Sequence, residues 1–373
     1  MKRTSILTTL ILAFAFIAAN PFAAAQDHDI KESQHEQSDQ QSDPGGAIDA
    51  EESEFDPSEY ILDHIADSHE WHLYTNKHGD HVSIYLPVIL YSQNSRLNIF
   101  SSKHLAHSNA YKGFMIMQEG ERKGRIVEVD EEGVINEEKL PFDLSITKNV
   151  AAMIVVAIII LWLFISLAAS YRRTGISEPK GMQGFLEPVI VFIRDDIALP
   201  NIGDSKYERY MPYLLTVFFF ILVNNLMGLV PVIPGGANVT GNIAVTFTLA
   251  FMTMVITNFS GGKGYWKHII NTPGVPWWLK FPVPLMPVVE FIGVIAKPFA
   301  LMIRLFANIT AGHIIVLSLV SLIFIFKSVA IAPVSIVFVL FLDCLEILVA
   351  FLQAYVFTLL SALFIGLAVQ EHH

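Results

Sequence analysis

Apolar residues are distributed unevenly along the 373 positions. Beyond residue 150 they come in long blocks, at 151–169, 212–233, 243–257, about 284–326 and 335–369, and these predict five membrane helical units. The fourth, about 40 residues from 287 to 326, would reach about 60 Å as one helix, twice the ~30 Å of bilayer hydrocarbon. Such a unit must be steeply tilted or bent, or must break at Pro298. The fifth is nearly as long, which favours a tilted antiparallel pair turning near 330–333. Between the first two blocks, 182–200 mixes Phe185, Leu186, Val189, Ile190 and Ile193 with Glu187, Arg194, Asp195 and Asp196, the pattern of a helix lying in the interface.

The first 145 residues read differently. Lys2 and Arg3, an apolar run from 6 to 19 and small residues at 23–25 have the form of a signal peptide over 1–25, with cleavage expected near Ala25; a retained first membrane helix is the alternative. Residues 26–58 are acidic, His-rich and nearly free of aromatics, a composition expected to stay disordered. From 59 to 145, runs at 81–91, 113–117 and 125–129 predict short strands, with turn signals at Gly79-Asp80 and Glu132-Gly133. The fold class expected is an all-α polytopic membrane domain over 146–373, with five helical units and a long tilted C-terminal hairpin, preceded by a small β-rich extracytoplasmic domain.

Charge sharpens this division. Only 16% of residues are charged, against 53% hydrophobic, well below the charge of soluble domains. The net charge of -11 conceals an N-terminal region, 26–144, with 25 acids against 9 Lys and Arg. No basic face exists to neutralise phosphates, which argues against nucleic-acid binding. Cys344 stands alone, so no intrachain disulfide or cysteine metal cluster can form, and its apolar surroundings predict packing as a small hydrophobe. Arg172, Arg173, Lys180, Arg194, Lys206 and Arg209 separate the first two blocks, and Lys263, Lys267 and Lys280 the third and fourth. Cytoplasmic loops hold such an excess, so the acidic domain is expected outside and the C-terminus inside.

Ionisable residues inside the apolar blocks are expensive in hydrocarbon and mark function. They are Glu290, Lys297, Arg304 and His313 on the fourth and Asp343 and Glu346 on the fifth; snorkelling or structural ion pairing is the alternative, strongest for Glu290, Lys297 and Asp343 near the ends. Glu290, Lys297 and Arg304 are seven apart and share one helical stripe, with Asn308 near it, whereas His313 lies half a turn away from Arg304. Glu346 and Gln353 likewise share a face. In an antiparallel hairpin turning near 330, His313 and Glu346 fall at one depth and Arg304 and Gln353 at another. The pattern proposes a proton-exchanging His–Glu couple on the outer side and an Arg–Gln level deeper in.

The run Arg304-Leu-Phe-Ala-Asn-Ile-Thr-Ala-Gly-His313, preceded by Lys297-Pro298 and followed by Leu352-Gln-Ala-Tyr-Val-Phe357, resembles subunit a of F-type ATP synthases, as does Asn224-Asn-Leu-Met-Gly-Leu-Val-Pro231. The resemblance covers about 146–370. It implies a proton-conducting stator subunit of the bacterial inner membrane, lying against a ring of c subunits and held by the b subunits of a peripheral stalk, with two offset half-channels that load and unload a ring carboxylate. Arg304 matches the essential arginine and Gln353 the glutamine facing it, while His313 and Glu346 match a polar pair that some relatives carry in reverse order. Gly228 and Asn242 are uncharged where some relatives carry acids, which throws more of the outer path onto His313 and Glu346. The segment 26–144 has no counterpart in the family core.

A secondary transporter or channel using the same charges is the rival reading; it would favour internal repeats or paired broken helices, and no repeated block is present. A third reading makes His64, His69, His72, His78 and His81 a metal site, against simple solvation of an acidic His-rich tract. The sequence has no nucleotide-binding loop and no nucleophile constellation, so ATP chemistry is expected on the catalytic sector's other chains, with no cofactor here.

Overall fold

Leu86-Pro87 interrupts the long β run predicted over 81–91. Proline cannot donate to a sheet ladder, and β2 (His81–Tyr85) and β3 (Pro87–Ser92) accordingly belong to different sheets. This is seen in a computed structural model, which describes residues 57–58, 61, 65–75, 81–92, 96–117, 123–130, 140–174, 181–230, 235–270, 285–326 and 332–370. The expected signal peptide, nearly all of the acidic tract, both predicted β-turns and the hairpin turn lie outside the described residues.

β2 pairs antiparallel with β1 (Glu70–Thr75), and β3 is the centre of a sheet flanked by β4 (Arg96–Ser101) and β7 (Phe142–Asp143). A third ribbon joins β5 (Phe114–Ile116) to β6 (Ile126–Glu128). Val88 and Leu90 alternate inward from β3 onto Phe100, Leu105, Phe114 and Ile126, the core of this small domain.

Among the described residues, five helices are long and apolar enough to cross a membrane. They are α1 (Lys148–Thr174), α4 (Tyr207–Leu229), α5 (Ile243–Ser260), α7 (Leu285–Ile325) and α8 (Ala332–Val369). The chain is thus a mostly helical, multi-pass membrane protein. The predicted interfacial segment is helical as α2 (Met182–Phe192), a π turn at Ile193–Ala198 and α3 (Leu199–Ile202), with Ile193, Ile197 and Ala198 fully buried. A short α6 (Lys263–Ile270), not expected from the sequence, follows α5.

α7 does not break: its 41 residues run through Pro298. Pro298 is itself buried, and membrane helices run through proline where neighbouring groups satisfy the freed carbonyl. Cys344, expected inside, is exposed on α8. The reason is that the outward surfaces of α7 and α8, including Phe291, Phe299, Phe338, Leu348 and Leu352, are left uncovered among the described residues.

Threonine, tyrosine and serine join the helices, since hydrocarbon offers polar groups no other partner. The Tyr213 hydroxyl on α4 lies 2.7 Å from Thr253 Oγ1 on α5, which is 3.3 Å from Ser361 Oγ on α8. Gly366 of α8 passes so close to the Asn201 carbonyl of α3 that any side chain there would collide with it.

The β domain is fastened to α1. Lys148 N–H donates to the Ser68 carbonyl (2.8 Å), Asn149 N–H to Asp67 Oδ1 (3.0 Å), and His69 Nε2 meets Asp143 Oδ2 at 3.0 Å. Burial raises the Asp67 carboxyl above the usual carboxylate range, partly offset by the Asn149 and Thr147 hydrogen bonds. Burial also acts to raise Asp143, but hydrogen bonds from His69 and Ser145 outweigh it and hold Asp143 below that range. Asp143 therefore stabilises the fastening above its unfolded value of 3.8, and this is lost only as pH falls through the lower folded value. Asp67, shifted upward, works the other way and relaxes a buried charge when protonated. Docking is expected to persist down to about pH 4. Limited proteolysis between pH 7 and 4 checks this, and release of the domain near pH 6 would contradict it.

Candidate functional site

Arg304 stands almost at the midpoint of α7, with its side chain on the exposed face. Leu301, Met302 and Leu305 on the opposite face are buried and anchor the helix against the bundle. A guanidinium cannot lose its charge, so this position presents a fixed cation on an apolar surface. One turn on, Asn308 Nδ2 donates to Gln353 Oε1 of α8 at 3.0 Å. The buried Gln353 is thus held by Asn308, one turn beyond Arg304, a contact the depth argument had not assigned.

The remaining groups divide between the two ends of the helices. One end is basic. Lys206 Nζ donates to the Val369 carbonyl at 3.0 Å and Gly262 N–H to that of Ala368 at 3.4 Å, which brings the α4 start, the α5–α6 junction and the α8 end together. Glu290 belongs to this end: burial and the nearby Glu290 carboxylate both raise the Tyr265 hydroxyl of α6 above its usual range. Further along the stripe, Lys297 Nζ sits 5.8 Å from the Phe364 ring centroid, a cation–π contact with α8. A cavity of about 600 Å³ at this end, lined by Lys206, Arg209, Lys263 and Tyr265, holds none of the predicted site residues.

His313 and Glu346 lie beyond Arg304, toward the end that carries the β domain. His313 points at α4, where Gly228 makes room: a methyl group on Gly228 would be 3.6 Å from His313 Nε2 and 3.3 Å from the Ala237 carbonyl. Glu346 packs its carboxylate against Gly312, where a side chain would meet Oε1 at 2.5 Å. The two groups thus occupy one level on adjacent sectors of α7, about 100° apart. Asp343 is one turn of α8 from Glu346.

This end holds polar groups that sequence reasoning left without a role. Thr240 Oγ1 donates to Asn225 Oδ1 at 2.6 Å, and Gly241 N–H to Asn238 Oδ1 at 3.1 Å. Among the described residues, buried Asn224 Oδ1, Asn225 Nδ2, Asn238 Nδ2 and Glu346 Oε1 have no hydrogen-bond partner. Two adjacent asparagines inside an apolar helix were the available signal, because buried amides are costly unless something polar passes them. Among the described residues, no three His, Cys, Asp or Glu side chains converge to hold a metal ion. His69 faces Asp143, and His64 and His78 lie outside the described residues.

The family model described as ATP synthase A chain matches residues 150–366, and one described only as a domain of unknown function matches 60–146. ATP synthase subunit a of Chloroherpeton thalassium is 51% identical over 239 residues, 62% of this chain and 69% of that one. ATP synthase subunit a 2 of Chlorobaculum tepidum is 52% identical over 234 residues, covering 61% and 64%. Subunit a of Myxococcus xanthus is 44% identical over 241 residues, covering 62% and 75%. The span matched by the first model contains Arg304, Asn308, His313, Glu346 and Gln353 together with nearly all of the five membrane helices, and on these similarities the chain belongs to the ATP synthase subunit a family.

Proposed function

We propose that this chain is the proton-conducting stator subunit of an F-type ATP synthase, with two half-channels meeting at Arg304. The observation that carries this is the split of polar groups on either side of one exposed, permanently charged arginine. Glu290 and Lys297 line the approach from the basic end. His313, Glu346 and the amides of Asn224, Asn225 and Asn238 line the approach from the other. A proton cannot pass Arg304 directly, so it must leave on a carboxylate carried by a partner and return to the second path after that partner has moved.

The uncovered faces of α7 and α8 support a ring of c subunits as that partner. Arg304 in hydrocarbon alone would be costly, and an apolar surface presenting an anion opposite it removes the penalty. The basic end is read as cytoplasmic on the positive-inside rule, with the β domain outside and the C-terminus inside, and the stator reading itself implies a bacterial inner membrane. The b subunits of a peripheral stalk hold it there, and the catalytic sector contributes all nucleotide chemistry.

Two measurements test this. With Cys344→Ser as background, Leu348→Cys on the exposed face of α8 is expected to cross-link to a two-helix proteolipid in the purified complex. Cross-links only to unrelated chains would overturn the ring assignment. In the same background, a membrane-impermeant thiol reagent is expected to reach Asn109→Cys from outside and Lys263→Cys only from inside. The opposite pattern would reverse the orientation.

A further inference from the structure

The β domain touches more than α1. Trp71, on β1, is 7% exposed and packs into one cluster with Val150, Ala152 and Met153 of α1, Ala237 and Val239 of the α4–α5 loop, and Val245 of α5. The same loop forms one wall of the site: the Ala237 carbonyl abuts Gly228 beside the His313 imidazole, and Thr240 is hydrogen-bonded to Asn225. Ala237 and Val239 thus belong to the cluster that contains the indole, while the same loop meets the polar groups of α4 and α7. The indole is itself held in place, because hydrogen bonds at Asp67 and Ser68, just before β1, and at Pro87 and Ile89 of β3 tie the domain to residues 144–149.

We propose that Trp71 is a positioning residue for proton transfer at His313, and that the domain of unknown function serves as a brace that keeps the 237–240 loop against the outer path. The inference rests on the reading of His313 as part of that path. An indole fills more of the cluster than any other side chain, and its removal loosens the packing that Ala237 and Val239 share. The loop carbonyl beside His313 and the Thr240 bond to Asn225 then lose their fixed geometry, and proton transfer depends on donors and acceptors held within hydrogen-bond reach. The ionisable groups at this level are His313 on α7 and Asp343 and Glu346 on α8. α4 and the loop contribute amides, hydroxyls and a carbonyl, while Asp67, His69, Asp143 and Lys148 belong to the domain junction.

The test uses the whole complex in vesicles, comparing wild type, Trp71→Ala, Trp71→Phe and Val239→Ala at matched assembly. Trp71→Ala is expected to slow proton transport about three- to tenfold, with a displaced dependence on outer pH, while ATP hydrolysis by the released catalytic sector is unchanged. Trp71→Phe, which keeps an aromatic ring in the cluster, is expected to return the rate to within about twofold and restore the pH profile. If Trp71→Ala does not assemble, Val239→Ala loosens the same contact from the loop side and is expected to displace the pH profile in the same direction. Wild-type rate and pH profile in Trp71→Ala, or in Val239→Ala where Trp71→Ala does not assemble, would overturn the brace. His313→Ala separates the two claims: slowed transport there with a silent Trp71→Ala sinks only the brace, whereas normal transport in His313→Ala sinks the reading of the path.

Discussion

Arg304→Ala is expected to lower coupled ATP synthesis by a hundredfold or more, on the order of removing a preorganised electrostatic contact, in complexes that still assemble. The side chain lies on the exposed face of α7, so its loss removes no buried packing, while Leu301, Met302 and Leu305 continue to hold the helix in the bundle. What is lost is the fixed cation that favours the ionised form of an approaching carboxylate and bars protons from crossing between the two paths. Each proton that slips past dissipates about 2.3 kcal/mol per 100 mV. Arg304→Ala and Arg304→Gln vesicles are therefore also expected to leak protons passively. Arg304→Lys keeps a cation but one that can release its proton, and it is expected to lose synthesis as well. Synthesis in reconstituted vesicles together with the decay of an imposed pH gradient measures both effects. Normal coupled synthesis in assembled Arg304→Ala complexes would overturn the assignment of this residue.

The second large effect is expected at His313 and Glu346. His313→Ala and Glu346→Ala are each expected to slow proton transport by at least tenfold, toward the ~10²–10⁴ that a positioned acid or base contributes. His313 sits against Gly228 and Ala237, and the Glu346 carboxylate against Gly312, so each substitution removes a titratable group from its own sector of α7. If the two act as one relay, the exchange His313→Glu with Glu346→His is expected to recover more activity than the product of the single losses allows, the signature of coupled positions. Cysteines at both positions in the Cys344→Ser background are expected to be bridged by a reagent of short span. Single losses that simply multiply in the exchange, with no bridging at any reagent length, would show two independent stretches of channel.

The depth arithmetic on the hairpin shows what a linear reading can and cannot reach. Counting from a turn near 330 put His313 level with Glu346, and Glu346 does pack against the neighbouring Gly312. The same counting put Arg304 level with Gln353, but the hydrogen bond to Gln353 comes from Asn308. Depth along a helix follows from residue number, at about 1.5 Å each. Which of two side chains a turn apart makes the contact depends on how the facing helices are rotated and spaced. The run at 81–91 is strand as expected but in two pieces, for a related reason: alternation continued through Leu86-Pro87 while the ladder could not.

Hydrophobic block length and the position of one arginine were enough to establish five membrane helices, a long terminal hairpin and a fixed cation at its middle. These are properties of single segments, set by the mismatch between apolar length and bilayer thickness and by the cost of charge in hydrocarbon. Only the tertiary structure decided which polar groups share a path. Gly228 opens α4 to His313, Gly312 opens α7 to Glu346, and Trp71, some 165 residues before Ala237, shares an apolar cluster with the loop between α4 and α5. Such contacts join residues from segments far apart in the chain. Their geometry is set by the close approach that small residues permit and by the packing of all the neighbouring side chains at once, which no periodicity within one segment encodes.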